Sequence, residues 1–160
     1  MAVTTQKSAE VTNITASPPT MLDTTSLHGR MRVAYFLHTQ DGAGDATSTV
    51  DLVKLPAGKG RILIRSSFLA ASAFGGSRTL DIGYVAHTDN NGDAVAVDVD
   101  AVLDGLDVSG ATNALLGTGT ATVDTYLYDS NAPLTIQAVV AGGTIPTGAT
   151  LEGYIVYVVD

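Results

Sequence analysis

Short runs of β-branched and aliphatic residues recur from about residue 30 onward, and clusters of Gly, Pro, Asn and Asp separate them at nearly regular intervals. Alternation of apolar and polar residues with a period of two is typical of strands, and the intervening clusters favour tight turns. The segment 101–106 is the one plausible helical turn, with Asp98 or Asp100 near its cap. The sequence therefore predicts an all-β fold, an antiparallel sandwich or barrel of about eight strands.

Three stretches carry the clearest detailed expectations. Arg61 to Ala70 is predicted to be one strand, with Ile62, Ile64, Ser66 and Phe68 on one face and Leu63, Arg65, Ser67 and Leu69 on the other. The polar stretch 87–93 contains Asn91-Gly92, a strong hairpin signal. In its return strand, we expect Val95, Val97 and Val99 to face the core, and Ala96, Asp98 and Asp100 to face solvent.

Two predicted strands are apolar on both faces. One is Arg32 to Leu37, and the other is the last strand, 149–159. In the last strand Leu151, Ile155, Tyr157 and Val159 alternate with Tyr154, Val156 and Val158. Such a strand must be covered twice, and a neighbouring copy of the chain is the most economical second cover. We therefore expect self-association, with Tyr154, Val156 and Val158 at the interface.

The 160 residues fit a single globular domain. Residues 1–29 are rich in Thr and Ser, contain Pro18-Pro19 and lack periodicity, which predicts an extended N-terminal arm before a β-sandwich domain over 30–160. The amino end has no apolar core of a signal peptide, and the apolar runs are too short to cross a bilayer. We expect a soluble protein without a membrane partner.

The net charge of −8 is unevenly distributed. Residues 1–78 hold all eight basic and five acidic residues, a net +3, whereas residues 79–160 hold eleven acidic residues and none that is basic. This asymmetry indicates a charged partner surface or complementary contacts between copies, although an acidic solvent face explains it equally well. The candidates for a cationic partner-facing surface are Arg30, Arg32, Lys54, Lys59, Arg61 and Arg65. They are few and are not interleaved with aromatic residues, which argues against nucleic-acid binding.

Motifs for catalysis are missing from the sequence. There is no cysteine, no paired-histidine metal motif, no Gly-x-Ser-x-Gly and no phosphate loop, so we expect neither an enzyme nor a cofactor. Asp98 and Asp100 share a strand face as a glycosidase pair does, but alternation places them toward solvent. A weak calcium candidate comprises Asp89, Asn91, Asp93 and Asp100, at positions 1, 3, 5 and 12 of an EF-hand-like loop. Ala94 at position 6 and an Asp at position 12 break that pattern, and a hairpin explains the same residues.

Four strings carry a family resemblance: Asp51 to Gly58, Arg61 to Ile64, Thr79 to Tyr84 and Ala101 to Ser109. Over roughly residues 48–158 the chain resembles the head decoration, or capsid cement, proteins of tailed bacteriophages. The resemblance implies a jelly-roll-like β-sandwich, usually a homotrimer, that binds the major capsid protein on the outer surface of a virion assembled in the host cytoplasm, and stabilises the shell. No catalytic residues come with it, and the arm is not part of it. The six basic residues become candidates for the capsid-facing surface.

Two alternatives from other classes remain open. A phage tail or receptor-binding component would share the fold and the arm, but should show an exposed aromatic or metal site for its ligand. A carbohydrate-binding β-sandwich module would bind sugars as a monomer, usually on flat aromatic platforms, and this chain has no Trp and 6% aromatic residues. Gel filtration distinguishes the module, which would be a monomer, from the two phage hypotheses, which predict a trimer.

Overall fold

The computed structural model describes residues 16–18, 30–44, 48–117 and 125–159. In these parts of the chain the regular structure is twelve strands and one short 3-10 turn. They are, in chain order, β1 Arg30–Thr39, β2 Thr49–Leu55, β3 Gly58–Leu63, the turn Ile64–Ser66, β4 Phe68–Ala71, β5 Thr79–Tyr84, β6 His87–Thr88, β7 Ala94–Val95, β8 Asp98–Asp107, β9 Thr112–Leu115, β10 Thr125–Ser130, β11 Leu134–Ala141 and β12 Thr150–Val159. No helix in the described residues is long and apolar enough to cross a membrane. The predicted arm, 1–29, lies outside the described residues apart from 16–18.

The first sheet is built around β12. Strand β1 pairs with β12 along all ten residues on one side. On the other side, β4 pairs with the first part of β12 and β3 with its last part. Beyond them, β9 pairs with β4 and β10 with β3. Because β3 and β4 lie end to end along β12, this sheet has four strand positions.

The second sheet has the order β2-β11-β5-β8, and all of its pairings are antiparallel. The chain alternates between the sheets: β1, β3 with β4, β9 with β10, and β12 belong to the first, whereas β2, β5, β8 and β11 belong to the second. Strands β6 and β7 form a separate two-stranded hairpin. Two four-position antiparallel sheets with this alternation form a jelly-roll sandwich. The predicted all-β sandwich is confirmed.

A single hydrophobic core lies between the two sheets. It takes buried side chains from both, including Leu80, Ile82, Ile136 and Leu134 from the second sheet. The last strand contributes as its alternation predicts, since Leu151, Ile155, Tyr157 and Val159 are all buried in this cluster. Their alternation partners therefore lie on the outer face of the first sheet, because successive strand residues point to opposite faces.

The prediction of one strand over 61–70 was wrong. The 3-10 turn interrupts it, and the alternation changes phase: Ile62 and Ile64 are buried before the break, whereas Ser67 and Leu69 are buried after it. The hydroxyl of Ser67 holds this bend in place. Its Oγ donates a hydrogen bond to the carbonyl oxygen of Leu63 at 2.9 Å and accepts one from the Val156 backbone N–H at 2.9 Å. A buried side chain thus replaces the ladder bond that β12 loses at the break.

The return strand after the hairpin also differs from its prediction. Val97 is 52% exposed and Val99 38% exposed, and the segment 101–106, expected to form a helical turn, is part of β8. The pairing of β5 with β8 shifts register twice, which places extra residues in β8 and breaks the simple alternation. At one irregularity Gly105 has a φ of +66°, and its N–H donates to Oδ1 of Asp81 at 2.7 Å. Pairing along β5 therefore outweighs the weak local helical signal.

The predicted Asn-Gly hairpin is confirmed. Strands β6 and β7 pair on either side of it, and Gly92 has a φ of +93°. Oδ1 of Asp89 accepts hydrogen bonds from the backbone N–H groups of Asn91, at 2.9 Å, and Asp93, at 2.8 Å. The carboxylate of Asp129 on β10 accepts a bond from the Asn90 backbone N–H at 3.3 Å, so the hairpin is anchored to the first sheet.

Candidate functional site

The outer faces of the two sheets differ in chemistry. The outward positions of the second sheet include polar and charged side chains: Asp51, Lys54, Asp81, Thr135 and Gln137. The outward positions of the first sheet are mostly aliphatic and aromatic. We call these the apolar face and define it by Met31, Val33, Tyr35, Leu37, Phe68, Leu115, Leu127, Tyr154, Val156 and Val158. It is the most prominent surface feature of the described chain.

Strand β1 supplies the most exposed part of the apolar face. Its odd-numbered residues Met31, Val33, Tyr35 and Leu37 are 68%, 43%, 77% and 74% exposed. The even-numbered Phe36 is buried in the core. The prediction that this strand is apolar on both faces is confirmed, yet the sequence did not single out these four residues as site candidates. The signal was present as four large apolar side chains at consecutive odd positions.

Two cross-strand rows span the whole apolar face. One row runs through directly paired residues from β1 to β9: Tyr35, Tyr154, Phe68 and Leu115. The rings of Tyr35 and Tyr154 lie edge to face with centroids 5.9 Å apart, and those of Tyr154 and Phe68 are stacked at 6.0 Å. The other row runs from β1 to β10: Met31, Val158, Arg61 and Leu127. Leu115 and Leu127 are 51% and 59% exposed.

The three residues predicted for a self-association interface all lie on the apolar face, but they contribute unequally. Tyr154 and Val158 are partly exposed at the centre of the two rows. Val156 is only 6% exposed, because it lies against the break between β3 and β4. Val156 therefore has little surface left to bury in a second contact.

A depression of about 520 Å³ opens on the apolar face at β1, β12 and β4. It is lined by Tyr35, Phe36, Leu37, Phe68, Glu152, Gly153 and Tyr154. Beneath it, Gly153 occupies a core-facing position of β12, where a Cβ would lie 2.8 Å from the Phe36 ring and would collide with the Phe68 carbonyl oxygen. Polar groups lie at the borders of the face. Nζ of Lys59 is 3.8 Å from the Asp129 carboxylate on one side, and Glu152 is exposed on another.

The six basic candidates do not share one face. Lys59 and Arg61 lie on the outer side of β3, Lys59 at the border of the apolar face and Arg61 within its second row, and the exposed Arg65 follows in the 3-10 turn. Lys54 is exposed on the second sheet. Arg30 and Arg32 lie at the start of β1, on the side of the strand opposite Met31 and Val33. The structure thus brings Lys59 and Arg61 together, with Arg65 in the adjoining turn, and separates the other three from them.

The calcium candidates are split between two elements. Asp89, Asn91 and Asp93 form the hairpin turn, whereas Asp100 lies on β8. Hydrogen bonds from the backbone, chiefly from Asp93, lower the pKa of Asp89, so its carboxylate already has partners in the turn. In the described part of the chain, no group of three or more His, Asp or Glu residues could hold a metal ion. A hydrogen bond between the carboxyl groups of Asp98 and Asp100 raises the pKa of Asp98 above its ordinary value.

Two tyrosines of β10 belong to the hydrophobic core: Tyr128 is buried in it and Tyr126 packs against it. Tyr126 is 5.1 Å from Tyr84 between ring centroids, and burial is the main cause that raises its pKa above the ordinary value. Burial also raises the pKa of Tyr128 to about 12. The Tyr128 hydroxyl is buried and has no hydrogen-bond partner among the described residues. These two tyrosines therefore act as packing side chains of the core.

No protein-family model and no curated protein sequence matches this chain. Among solved structures, the chain is similar to a chain of the cyanophage Pam1 capsid asymmetric unit, with a TM-score of 0.52 and 14% identity, covering 82% of this chain and 86% of that one. A capsid chain of Helicobacter pylori bacteriophage KHP30 gives a TM-score of 0.37, 13% identity and coverages of 81% and 94%. The VP2 subviral particle of infectious bursal disease virus gives 0.46 and 15%, with 81% of this chain spanning 33% of that one. The likeness to the cyanophage chain shows a shared fold.

Proposed function

We propose that this protein is a structural component of a bacteriophage virion. Specifically, it would be a decoration protein that binds the major capsid protein on the outer surface of the shell as a homotrimer and stabilises the shell. The observation that carries the proposal is the apolar face, because monomeric soluble proteins rarely expose contiguous apolar patches beyond roughly 300–600 Å². A jelly roll with such a face is suited to assembly. The fold shared with the cyanophage chain and the resemblance to decoration proteins support the choice of a capsid.

The position of the large exposed apolar side chains favours a structural role over a catalytic one. Large apolar residues at Met31, Tyr35 and Leu37 are open to solvent at the edge of a rigid sheet. The paired carboxyl groups of Asp98 and Asp100 lie elsewhere, on the edge strand of the second sheet. An extended contact surface fits lasting association with protein neighbours.

The decoration role would use several weak contacts at once. In a trimer each copy presents the same basic side chains to the shell, so three modest contacts act at high effective concentration. Lys59, Arg61 and the adjoining Arg65 are the basic candidates that lie near one another. Because Arg61 lies within the apolar face, we assign the leading role in capsid contact to Lys59 and Arg65. Exposed ion pairs contribute about 0.2–1 kcal/mol each, and they would govern orientation and encounter more than final affinity.

The test is binding to empty heads assembled from the major capsid protein of the phage that encodes this protein. Purified protein is titrated onto heads, bound and free fractions are separated by sedimentation, and the melting temperature of the heads is measured with and without it. We expect saturable binding in multiples of three copies and a raised melting temperature. Protein that stays in the supernatant at every concentration, with unchanged heads, would overturn the proposal.

A second candidate function rests on the aromatic row. Tyr35, Tyr154 and Phe68 place three rings side by side on an exposed sheet face, with Glu152 beside them. Such a platform is also suited to stacking against sugar rings, as in a carbohydrate-binding module or a receptor-binding component of a phage tail. Both hypotheses predict glycan binding that is lost in Tyr35→Ala, by a monomer in the case of the module and by a trimer in the case of the tail component. A glycan array combined with titration calorimetry distinguishes them from the decoration role.

A further inference from the structure

We infer that the apolar face is the contact surface between copies of this chain, and that the exposed residues of the edge strand β1 supply its largest open part, next to Tyr154. The inference deepens the proposed function by naming the surface through which copies associate. It rests on the proposed function only for the expectation that three copies associate. It differs from the expectation drawn from the sequence, because Met31, Tyr35 and Leu37 now lead the interface and Val156 contributes little. The occupant is a second copy of the same chain.

The open area of the face is what a specific protein interface requires. Six of its side chains retain large exposed fractions: Met31, Val33, Tyr35, Leu37, Leu115 and Leu127. A fully exposed large side chain presents on the order of 150–200 Å², so these fractions leave roughly 700 Å² of apolar surface open. A standard interface buries about 800 Å² on each partner. The face therefore matches the footprint of one partner of protein size.

The arrangement of the face also matches an interface between copies. Charged side chains are depleted from the centre of lasting interfaces and enriched at their rims, and aromatic residues act as anchors. Here the stacked Tyr154 and Phe68 lie centrally and the exposed Tyr35 extends their row onto the edge strand, while the Lys59–Asp129 pair and Glu152 lie at the borders. Arg61 is a charged side chain within the second row, between Val158 and Leu127. A border with charges of both signs can contact the border of another copy, because opposite signs can lie against each other in a symmetric assembly.

The depression beside β1 gives the contact a shape. The rings of Tyr35, Tyr154 and Phe68 line it, together with Leu37 and Glu152. An apolar side chain from the partner copy can fill it. The residues of β1 on the same face, such as Leu37, are exposed enough to serve as that side chain.

The experiment compares the mass of the full chain with that of three variants by analytical ultracentrifugation over a wide concentration range. Tyr35→Glu and Leu127→Glu each place a charge on the apolar face, at opposite sides of the sheet. Val97→Glu is the matched control, because Val97 is also an exposed apolar residue, at 52%, but lies in the segment between β7 and β8. Circular dichroism monitors the β fold of each variant.

We expect the wild type and Val97→Glu to associate alike, and each variant on the face to raise the dissociation constant by about 30-fold or more with an unchanged β spectrum. If Tyr35→Glu loses its fold, Leu127→Glu decides the matter. A wild type that is monomeric at all concentrations overturns the inference, as do variants on the face that associate like the control. A wild-type dimer supports the apolar face as the contact surface and contradicts the trimer. Binding of a monomer to the heads supports the decoration role and contradicts the apolar face as a contact between copies.

Discussion

Replacing Ser67 with alanine removes one buried oxygen from the point where the first sheet bends. That oxygen makes two hydrogen bonds, to the Leu63 carbonyl and from the Val156 N–H, both 2.9 Å long. Ser67 is fully buried. In Ser67→Ala the Val156 N–H would stay buried beside a methyl group, with no room for water to replace the lost acceptor.

The size of the effect follows from that unsatisfied donor. A buried backbone N–H without a partner costs about 1–3 kcal/mol, whereas the Leu63 carbonyl, with two lone pairs, adds less. Removal of one small atom creates almost no cavity. We therefore expect the free energy of unfolding of Ser67→Ala to fall by about 2 kcal/mol.

The assay is urea unfolding followed by far-ultraviolet circular dichroism, performed in the Tyr35→Glu background so that association does not make stability depend on concentration. Ser66→Ala is the matched control, since Ser66 is the preceding residue in the same turn and is exposed. The control should change stability by less than about 0.5 kcal/mol. If Ser67→Ala and Ser66→Ala unfold at the same urea concentration, the hydroxyl does not hold the bend and the reasoning is refuted.

Three further predictions concern packing, ionisation and charge. Gly153→Ala should destabilise the protein by about 2 kcal/mol or more, because its Cβ collides with the Phe68 carbonyl, whereas Gly110→Ala, in open space, should be nearly neutral; equal urea midpoints would contradict this. Tyr128→Phe should be neutral or stabilising at pH 7, since the hydroxyl is buried without a partner among the described residues. Because the folded pKa of Tyr128 is raised to about 12 from 10.0, its stabilising contribution is complete below pH 10 and is lost as the pH rises toward 12; the variant should lose less stability than the wild type over that interval of a pH series. Capsid binding should weaken modestly as salt rises from about 0.05 to 0.5 M, and salt-independent sedimentation with heads would remove the basic candidates from the contact.

The features that the sequence predicted well are those encoded within one strand or one turn. Alternation over 149–159 was sufficient to place Tyr157 in the core and Tyr154 outside, and Asn91-Gly92 was sufficient to place the hairpin. The break at Ile64–Ser66 could not be predicted, because the local alternation continues through it. What decides the break is a hydrogen bond to a backbone N–H 89 positions further along the chain.

The candidate site shows the same division between local and long-range information. Tyr154 and Val158 were found from their own strand, but the rows that make the apolar face depend on which strands lie side by side. Leu115 and Leu127 join it only through the pairing of β9 with β4 and of β10 with β3. A register of this kind is set by the whole sandwich and cannot be deduced from either leucine's neighbours in sequence.

The pairing of β1 with β12 has a consequence for how the chain folds during synthesis. These strands form the centre and edge of one sheet, yet Tyr35 and Tyr154 are separated by about 120 residues, a contact of very high order that forms slowly. At about 5–20 residues per second, the ribosome needs on the order of ten seconds to make the partner of β1 after β1 itself. Throughout that interval both faces of β1 are without their cover, Phe36 as well as the exposed stripe. The nascent chain therefore carries an uncovered apolar strand while the strands between β1 and β12 are made, and it completes the first sheet only when β12 has left the ribosome.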